Sequence, residues 1–275
     1  MRILITNDDG YRSPGLISLV KALAPFGELT IVAPKSPQSG MSMAVTMGYK
    51  PIAVKHLEGC KGQDWWYLDG TPASCIKYGL DNVLYPQRPD LIVSGINHGN
   101  NAATAAIYSG TLGAAMEGAI NGIRSIAVSL DSFADDPDFS AAVKLFPGIV
   151  KKLLDNYGPR FGGFYNVNFP NLPASAIKGI RVTRMGMAHW EREYVPYRED
   201  FLQSHRHMPS KADLTYVEEL EEGEEVVVMA GDFVSNPGNG PYADHLLMRE
   251  GWITITPHNI DNSDPAEFER LCAII

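Results

Sequence analysis

Short apolar runs, each closed by turn-forming residues and followed by a helical pattern, set the rhythm of this chain. Ile3, Leu4 and Ile5 make the first run and read as a buried strand of a parallel sheet. Ser13 then reads as an N-cap with Pro14 at the first helical position, and Leu16, Leu19, Val20 and Leu23 recur at helical spacing. Pro25 and Gly27 break that pattern, and Leu29 to Val32 form the next run. The crossover between the two runs suits a right-handed βαβ unit, so the second strand is expected parallel to the first. Further compact strands are expected at Leu91 to Val93, Ser125 to Leu130 and Phe164 to Phe169, with helices opened by Thr71 and Pro72 and by Ser109. The alternation predicts an α/β fold: a Rossmann-like, mostly parallel sheet flanked by helices.

Other stretches are less regular. Ile52 to Lys55 and Trp65 to Leu68 read as short strands around a loop at Gly59 to Gly62. Phe139 to Leu154 is amphipathic, with Pro147 and Gly148 expected to kink or divide it. Ile180 to Thr183, Val226 to Met229 and Trp252 to Ile255 are further expected strands, and the tail from Asp264 carries a helical pattern. Between Met185 and Met208 aromatics and charges mix without period, as in an arm or hairpin excursion. Six glutamates within Glu218 to Glu225 read as a solvated surface.

At 275 residues, with 45% apolar and 20% charged positions, the chain can bury a sizeable core. A net charge of −9 argues against nucleic-acid duplexes and anionic membranes as partners, while leaving room for a small anionic substrate where a metal or aimed amides reverse the field. No apolar run approaches the roughly 20 residues of a membrane span, and no signal peptide is visible. Cys60, Cys75 and Cys272 are too scattered for a disulfide framework or a zinc site and read as reduced, core-facing thiols of a cytoplasmic protein. His205 and His207 read as surface residues.

The chemistry gathers where strands end. Asp8 and Asp9 sit between the first strand and the first helix, outside the carboxyl end of a strand, where open α/β sheets bind ligands. Two adjacent carboxylates repel each other and any anionic ligand, and a hard divalent cation removes both problems. Asn7 to Gly10 equally well composes a plain tight turn. After the second strand, Ser39 and Ser42 offer hydroxyls and Gly40 permits close backbone approach. Asn97 follows a strand in the same manner, so side chains distant in sequence are expected to converge on one sheet edge. Ser109, Gly110 and Thr111 open a helix whose exposed amides and hydroxyls suit a phosphate, or serve simply as its cap.

NDDG at Asn7 to Gly10, the AP and SG loop at Ala33 to Gly40, GTP at Gly70 to Pro72, SGIN and GNN within Ser94 to Asn101, YSGT and AAMEG within Tyr108 to Gly118, and NVNFP at Asn166 to Pro170 together resemble the survival protein SurE family. The resemblance is dense to about Arg184 and returns weakly at Ile253 to Pro257. It implies a metal-dependent phosphatase of nucleoside 5′- and 3′-monophosphates, using one divalent cation, Mg²⁺ or Mn²⁺. Carried over by position, Asp8, Asp9, Ser39 and Asn97 are expected as metal ligands, and Asn101, Ser109, Gly110 and Thr111 as phosphate contacts beside Gly40. Asp8, Asp9, Asn101 and Ser109 are the expected catalytic set. Residues 1–184 are expected to form the catalytic core, and residues 185–275 a β-rich arm and C-terminal segment serving a homodimer or homotetramer. Thr104, Ala105 and Ser74 stand where the family usually has acidic residues, the usual arm pattern is absent between Trp190 and Leu214, and Ala243 with Asp244 replaces the usual Thr-Asp pair.

Three other readings remain open at this stage: a phosphatase of other small phosphomonoesters, a nucleotide-binding or sensing module without turnover, and a haloacid-dehalogenase-like phosphatase. The last places its aspartates one residue apart, unlike Asp8 and Asp9.

Overall fold

The computed structural model describes residues 1–48, 51–58, 63–156, 161–197, 221 and 223–275. Strand β1 (Arg2–Thr6) leads into helix α1 (Pro14–Leu23), whose N-cap Ser13 accepts from the Leu16 amide at 3.2 Å with Pro14 at the first position. Strand β2 (Glu28–Pro34) follows and pairs parallel to β1, as the crossover length predicts. Strands β3 (Val54–Leu57) and β4 (Asp64–Leu68) form an antiparallel pair that adds β4, parallel, to β2. Helix α2 (Pro72–Tyr78) widens into a π-helical turn over Gly79–Val83. A Cβ at Gly79 would lie 2.9 Å from Leu4 of β1, so the glycine allows this turn to press onto the sheet.

Strand β5 (Leu91–His98) is longer than the apolar run that announces it, because its end is polar and irregular. Helices α3 (Ala105–Tyr108) and α4 (Gly110–Ile120) precede β6 (Ser125–Asp131). Helix α5 (Ser140–Asp155) runs through Pro147 undivided. A proline removes one helical hydrogen bond, and here Phe146, Ile149 and Val150, buried around it, hold the helix to the core. After β7 (Gly163–Pro170) and β8 (Ile180–Val182), the strands β9 (Ala188–Glu191), β10 (Tyr194–Pro196), β11 (Val227–Met229) and β12 (Asp232–Ser235) form two antiparallel pairs, β10 with β11 and β9 with β12. Helix α6 (Asp244–Arg249), strand β13 (Ile253–Asn259) and helix α7 (Pro265–Cys272) complete the chain.

The main sheet has nine strands in the order β3-β4-β2-β1-β5-β6-β7-β13-β8. Its centre is parallel; β3 is antiparallel at one edge, and β13 lies antiparallel to β7 and parallel to β8 at the other. Apolar residues fill both faces. Leu16, Leu19, Leu23, Phe146 and Phe169 pack with Ile3, Ile5 and Val93 on one side, and Leu4, Val32, Ile76 and Ile92 meet on the other. The carboxyl ends of β2, β1, β5, β6 and β7 therefore fall along one edge, which is where the candidate chemistry collects.

Cys75 is buried in this core as expected, but Cys272 is exposed, because α7 buries none of its residues. Cys60, His205, His207, the loop at 59–62, the stretch from 198 to 208 of the arm and much of the glutamate run lie outside the described residues. No helix among the described residues is long and apolar enough to cross a membrane.

Candidate active site

The first loop of the site is pinned by its own asparagine. Asn7, fully buried, donates from Nδ2 to the Gly10 carbonyl at 3.0 Å and to Ser13 Oγ at 2.7 Å, joining the strand end to the cap of α1. Gly10 turns with φ +97°, a conformation that L side chains rarely adopt. The Asp8 carbonyl accepts from the Gln38 amide at 2.7 Å, and the Pro34 carbonyl from the Tyr11 amide at 2.9 Å. The loops after β1 and β2 are thereby stitched together.

Asp8 is nearly inaccessible, at 4% exposure, and its Oδ1 accepts from the Thr111 hydroxyl at 2.5 Å. A Cβ at Gly110 would lie 3.1 Å from Asp8 Cβ and 3.2 Å from the Gln38 carbonyl, so glycine lets the start of α4 close onto the carboxylate. Ser109 caps that helix, its Oγ accepting from the Leu112 amide at 3.1 Å. Asp9 is less deeply placed, and its Oδ2 accepts from the His98 amide at 3.2 Å, at the end of β5. Burial, followed by the neighbouring charge of Asp9, pushes the Asp8 carboxyl up to about 7. Burial likewise raises Asp9 to about 6, with the His98 amide opposing. Two carboxylates so placed favour a cation.

Asn97 owes its position to an irregularity. The register of β5 against β6 shifts between Ser94 and Asn97, re-aiming the strand end. At Gly95, with φ +135°, a Cβ would stand 2.2 Å from the Val128 carbonyl, so no larger residue fits there. Asn97 Nδ2 donates to the Gly99 carbonyl at 2.8 Å, which leaves its Oδ1 for a ligand. Ser39 and Gly40 are exposed on the loop after β2. That loop is anchored by Ser42, whose amide donates to the Tyr108 carbonyl at 2.9 Å and whose Oγ donates to the Ile107 carbonyl at 2.8 Å. Gly40 has φ +73° and nothing packs against it, so its glycine serves the turn and not a close approach.

Asn101 is buried at the ends of three strands. Its amide donates to Asn168 Oδ1 at 2.8 Å, its Nδ2 to Ser129 Oγ at 2.8 Å, and its carbonyl accepts from Asn166 Nδ2 at 2.8 Å. The structure thus brings Asp8, Gly110 and Thr111 into direct contact and ties Asp9 to the strand end that bears Asn97. Ser39, Gly40 and Asn101 lie on adjoining segments, and no hydrogen bond joins them to either aspartate.

Sequence reasoning gave no role to Asn166, Asn168 or Asp244. Asn166 and Asn168 alternate along β7 and so share one face, where they cradle the Asn101 backbone; two asparagines two apart in an otherwise apolar strand were the available signal. Asp244, fully buried at the start of α6, accepts at Oδ1 from the amides of Ala103 and Gly186, each at 3.0 Å, and of His245 at 2.8 Å. It joins the loop carrying Asn101 to the segment leading into β9. In the sequence it was marked only as the retained aspartate of a familiar Thr-Asp pair whose threonine is here Ala243.

Comparison with known proteins places the chain as a whole. Residues 3–192 match the family model described as Survival protein SurE. The chain is 37% identical over 263 residues to the 5′-nucleotidase SurE of Christiangramia forsetii, covering 94% of this chain and 91% of that protein. It is 33% identical over 271 residues to the 5′-nucleotidase SurE of Thermosipho melanesiensis, covering 98% and 96%. Its fold resembles the crystal structure of the SurE protein from Aquifex aeolicus, with a TM-score of 0.77 at 30% identity, over 100% of this chain and 98% of that one.

Proposed function

The chain belongs to the survival protein SurE family and is a 5′-nucleotidase, and we propose that it works through one divalent cation held by Asp8, Asp9, Ser39 and Asn97. The observation that carries this reading is the contact of the buried Asp8 carboxylate with Thr111 at the N-terminus of α4. A carboxylate there opposes a phosphate unless a cation lies between them. The donor chemistry fits: two carboxylates, a serine hydroxyl and an asparagine side-chain oxygen are hard oxygen donors of the kind such cations take. Mg²⁺ or Mn²⁺ takes such a set together with waters and substrate oxygens.

The cation, when bound, supplies Lewis-acid polarisation of the phosphoryl group. Asp9, the more accessible aspartate, orients the attacking water and accepts its proton. Ser109 through its hydroxyl and Gly110 and Thr111 through their backbone amides hold the equatorial oxygens, and Asn101 steadies the opposite side from its asparagine-lined seat. Thr111 keeps Asp8 in one rotamer while doing so. Nucleoside 3′-monophosphates are substrates on this reading as well, because the contacts are made to the phosphate. Residues 1–184 carry the reaction, and residues 185–275 supply the arm through which a cytoplasmic homodimer or homotetramer assembles. The exposed Met187, just before β9, and Tyr194 and Met229 on the paired strands β10 and β11 support that assignment.

The test is release of inorganic phosphate from a panel of nucleoside 5′- and 3′-monophosphates with Mg²⁺ or Mn²⁺ and again with EDTA. EDTA-sensitive release from both ester classes is expected. Release that persists in EDTA would remove the cation from the mechanism, and binding of nucleotides without release would leave a sensing module.

A further inference from the structure

We propose that Tyr108, braced by Trp190, is the platform on which the nucleobase of the substrate stacks; this rests on the nucleotidase reading and extends it from the phosphate to the base. Tyr108, the last residue of α3, is 60% exposed. It immediately precedes Ser109, the cap of α4, so its ring stands within one nucleoside's reach of the phosphate seat.

The residue is held at its backbone and braced at its ring. Its backbone carbonyl accepts from the Ser42 amide at 2.9 Å, fixing it to the loop that carries Ser39. Its ring stands nearly perpendicular to Trp190, at 6.0 Å between centroids and 78° between planes, and Trp190 in turn meets Phe233 at 5.2 Å and 76°. The Thr104 hydroxyl donates to the Ala188 carbonyl at 2.6 Å, docking the β9–β12 hairpin against α3. Perpendicular bracing fixes a ring while leaving a face open, and an open, rigid aromatic face is what a base stacks on.

The other opening beside the aspartates suits a base less well. It is a cleft of about 380 Å³ lined by Asp9, Arg12, His98, Asp135 and Phe139, in which Arg12, His98 and Asp135 are exposed and the one aromatic ring, Phe139, is buried. Stacking alone reads no base edge, because every base presents a π-face.

The experiment compares kcat/KM on a nucleoside 5′-monophosphate with that on ribose 5-phosphate, which has the same phosphate and sugar but no base. Tyr108→Ala is expected to lose roughly 5- to 100-fold on the nucleotide and to leave ribose 5-phosphate unchanged, while Tyr108→Phe retains the wild-type ratio. Equal losses on both substrates, with a change in sedimentation, would mean that Tyr108 serves an interface between copies of the chain, and would overturn the proposal. So would loss of the nucleotide preference in Phe133→Ala, at an exposed aromatic beside Gly99, with Tyr108→Ala unaffected. A wild-type protein that hydrolyses neither ester removes the nucleotidase reading itself, which separates that failure from a misplaced base.

Discussion

Replacing Asp244 with alanine removes one carboxylate and leaves three backbone amides, those of Ala103, Gly186 and His245, without their acceptor in a site closed to water. An orphaned buried donor costs about 1–3 kcal/mol, so the three together cost roughly 3–6 kcal/mol after partial relaxation. Against a total stability of about 5–15 kcal/mol this is a large fraction. For a chain of this size each kcal/mol moves Tm by about 2–4 °C, so a fall of roughly 6–24 °C is expected. Asp244→Asn keeps an oxygen at the position of Oδ1 and should lose about half as much. The assay is thermal unfolding followed by circular dichroism, with hydrogen exchange at the Ala103 amide as the local readout. Faster exchange at Ala103 and a graded loss of Tm, alanine beyond asparagine, are expected. An Asp244→Ala protein within about 2 °C of wild type would refute the reasoning, because the three amides would then have no need of the carboxylate.

Thr111→Val removes the hydroxyl that Asp8 accepts and should lower kcat by roughly 10- to 100-fold with the fold intact by circular dichroism, since hydrogen bonds to charged groups contribute about 1.5–3 kcal/mol; unchanged turnover would detach Thr111 from the site. Gly113→Ala places a Cβ 1.9 Å from the Ser42 carbonyl, so the loop after β2 must move, and both Tm and activity should fall. In EDTA, stability should decline as pH rises from about 4 to about 7. Asp8 and Asp9 titrate higher in the folded protein than in the unfolded chain, so the folded state holds protons that the unfolded state has already released. Tm measured across pH 5 to 8 should therefore fall more steeply for wild type than for the Asp8→Asn, Asp9→Asn double variant, and equal slopes would contradict this.

The legible part of this protein was its periodicity. Apolar runs such as Ile3 to Ile5 announced the parallel strands, and Ser13 with Pro14 and Thr71 with Pro72 marked helix starts that the structure reproduces. The convergence of Asp9 and Asn97 also followed, because adjacent parallel strands share their carboxyl ends. What local pattern left out was set by tertiary contact. The polar end of β5 is a strand only through its pairing with β6, and α5 survives Pro147 because its buried face is held on both sides of the proline. Helix α6 is short and begins with a charged residue whose value lies in three amides distant or adjacent in sequence, which no periodicity displays. Cys272 was expected inside because cysteine usually is, yet it sits on a terminal helix with no covered face.

The central claim is that the paired aspartates hold the cation on which turnover depends. Its most direct test is a titration of Mn²⁺, followed by electron paramagnetic resonance, into metal-free wild type and Asp9→Ala, with phosphate release from a nucleoside 5′-monophosphate recorded at each point. The account predicts about one tightly bound Mn²⁺ in wild type, activity rising in step with occupancy, and loss of both in Asp9→Ala. An Asp9→Ala protein that turns over normally, or a wild type whose activity is indifferent to bound Mn²⁺, would contradict it.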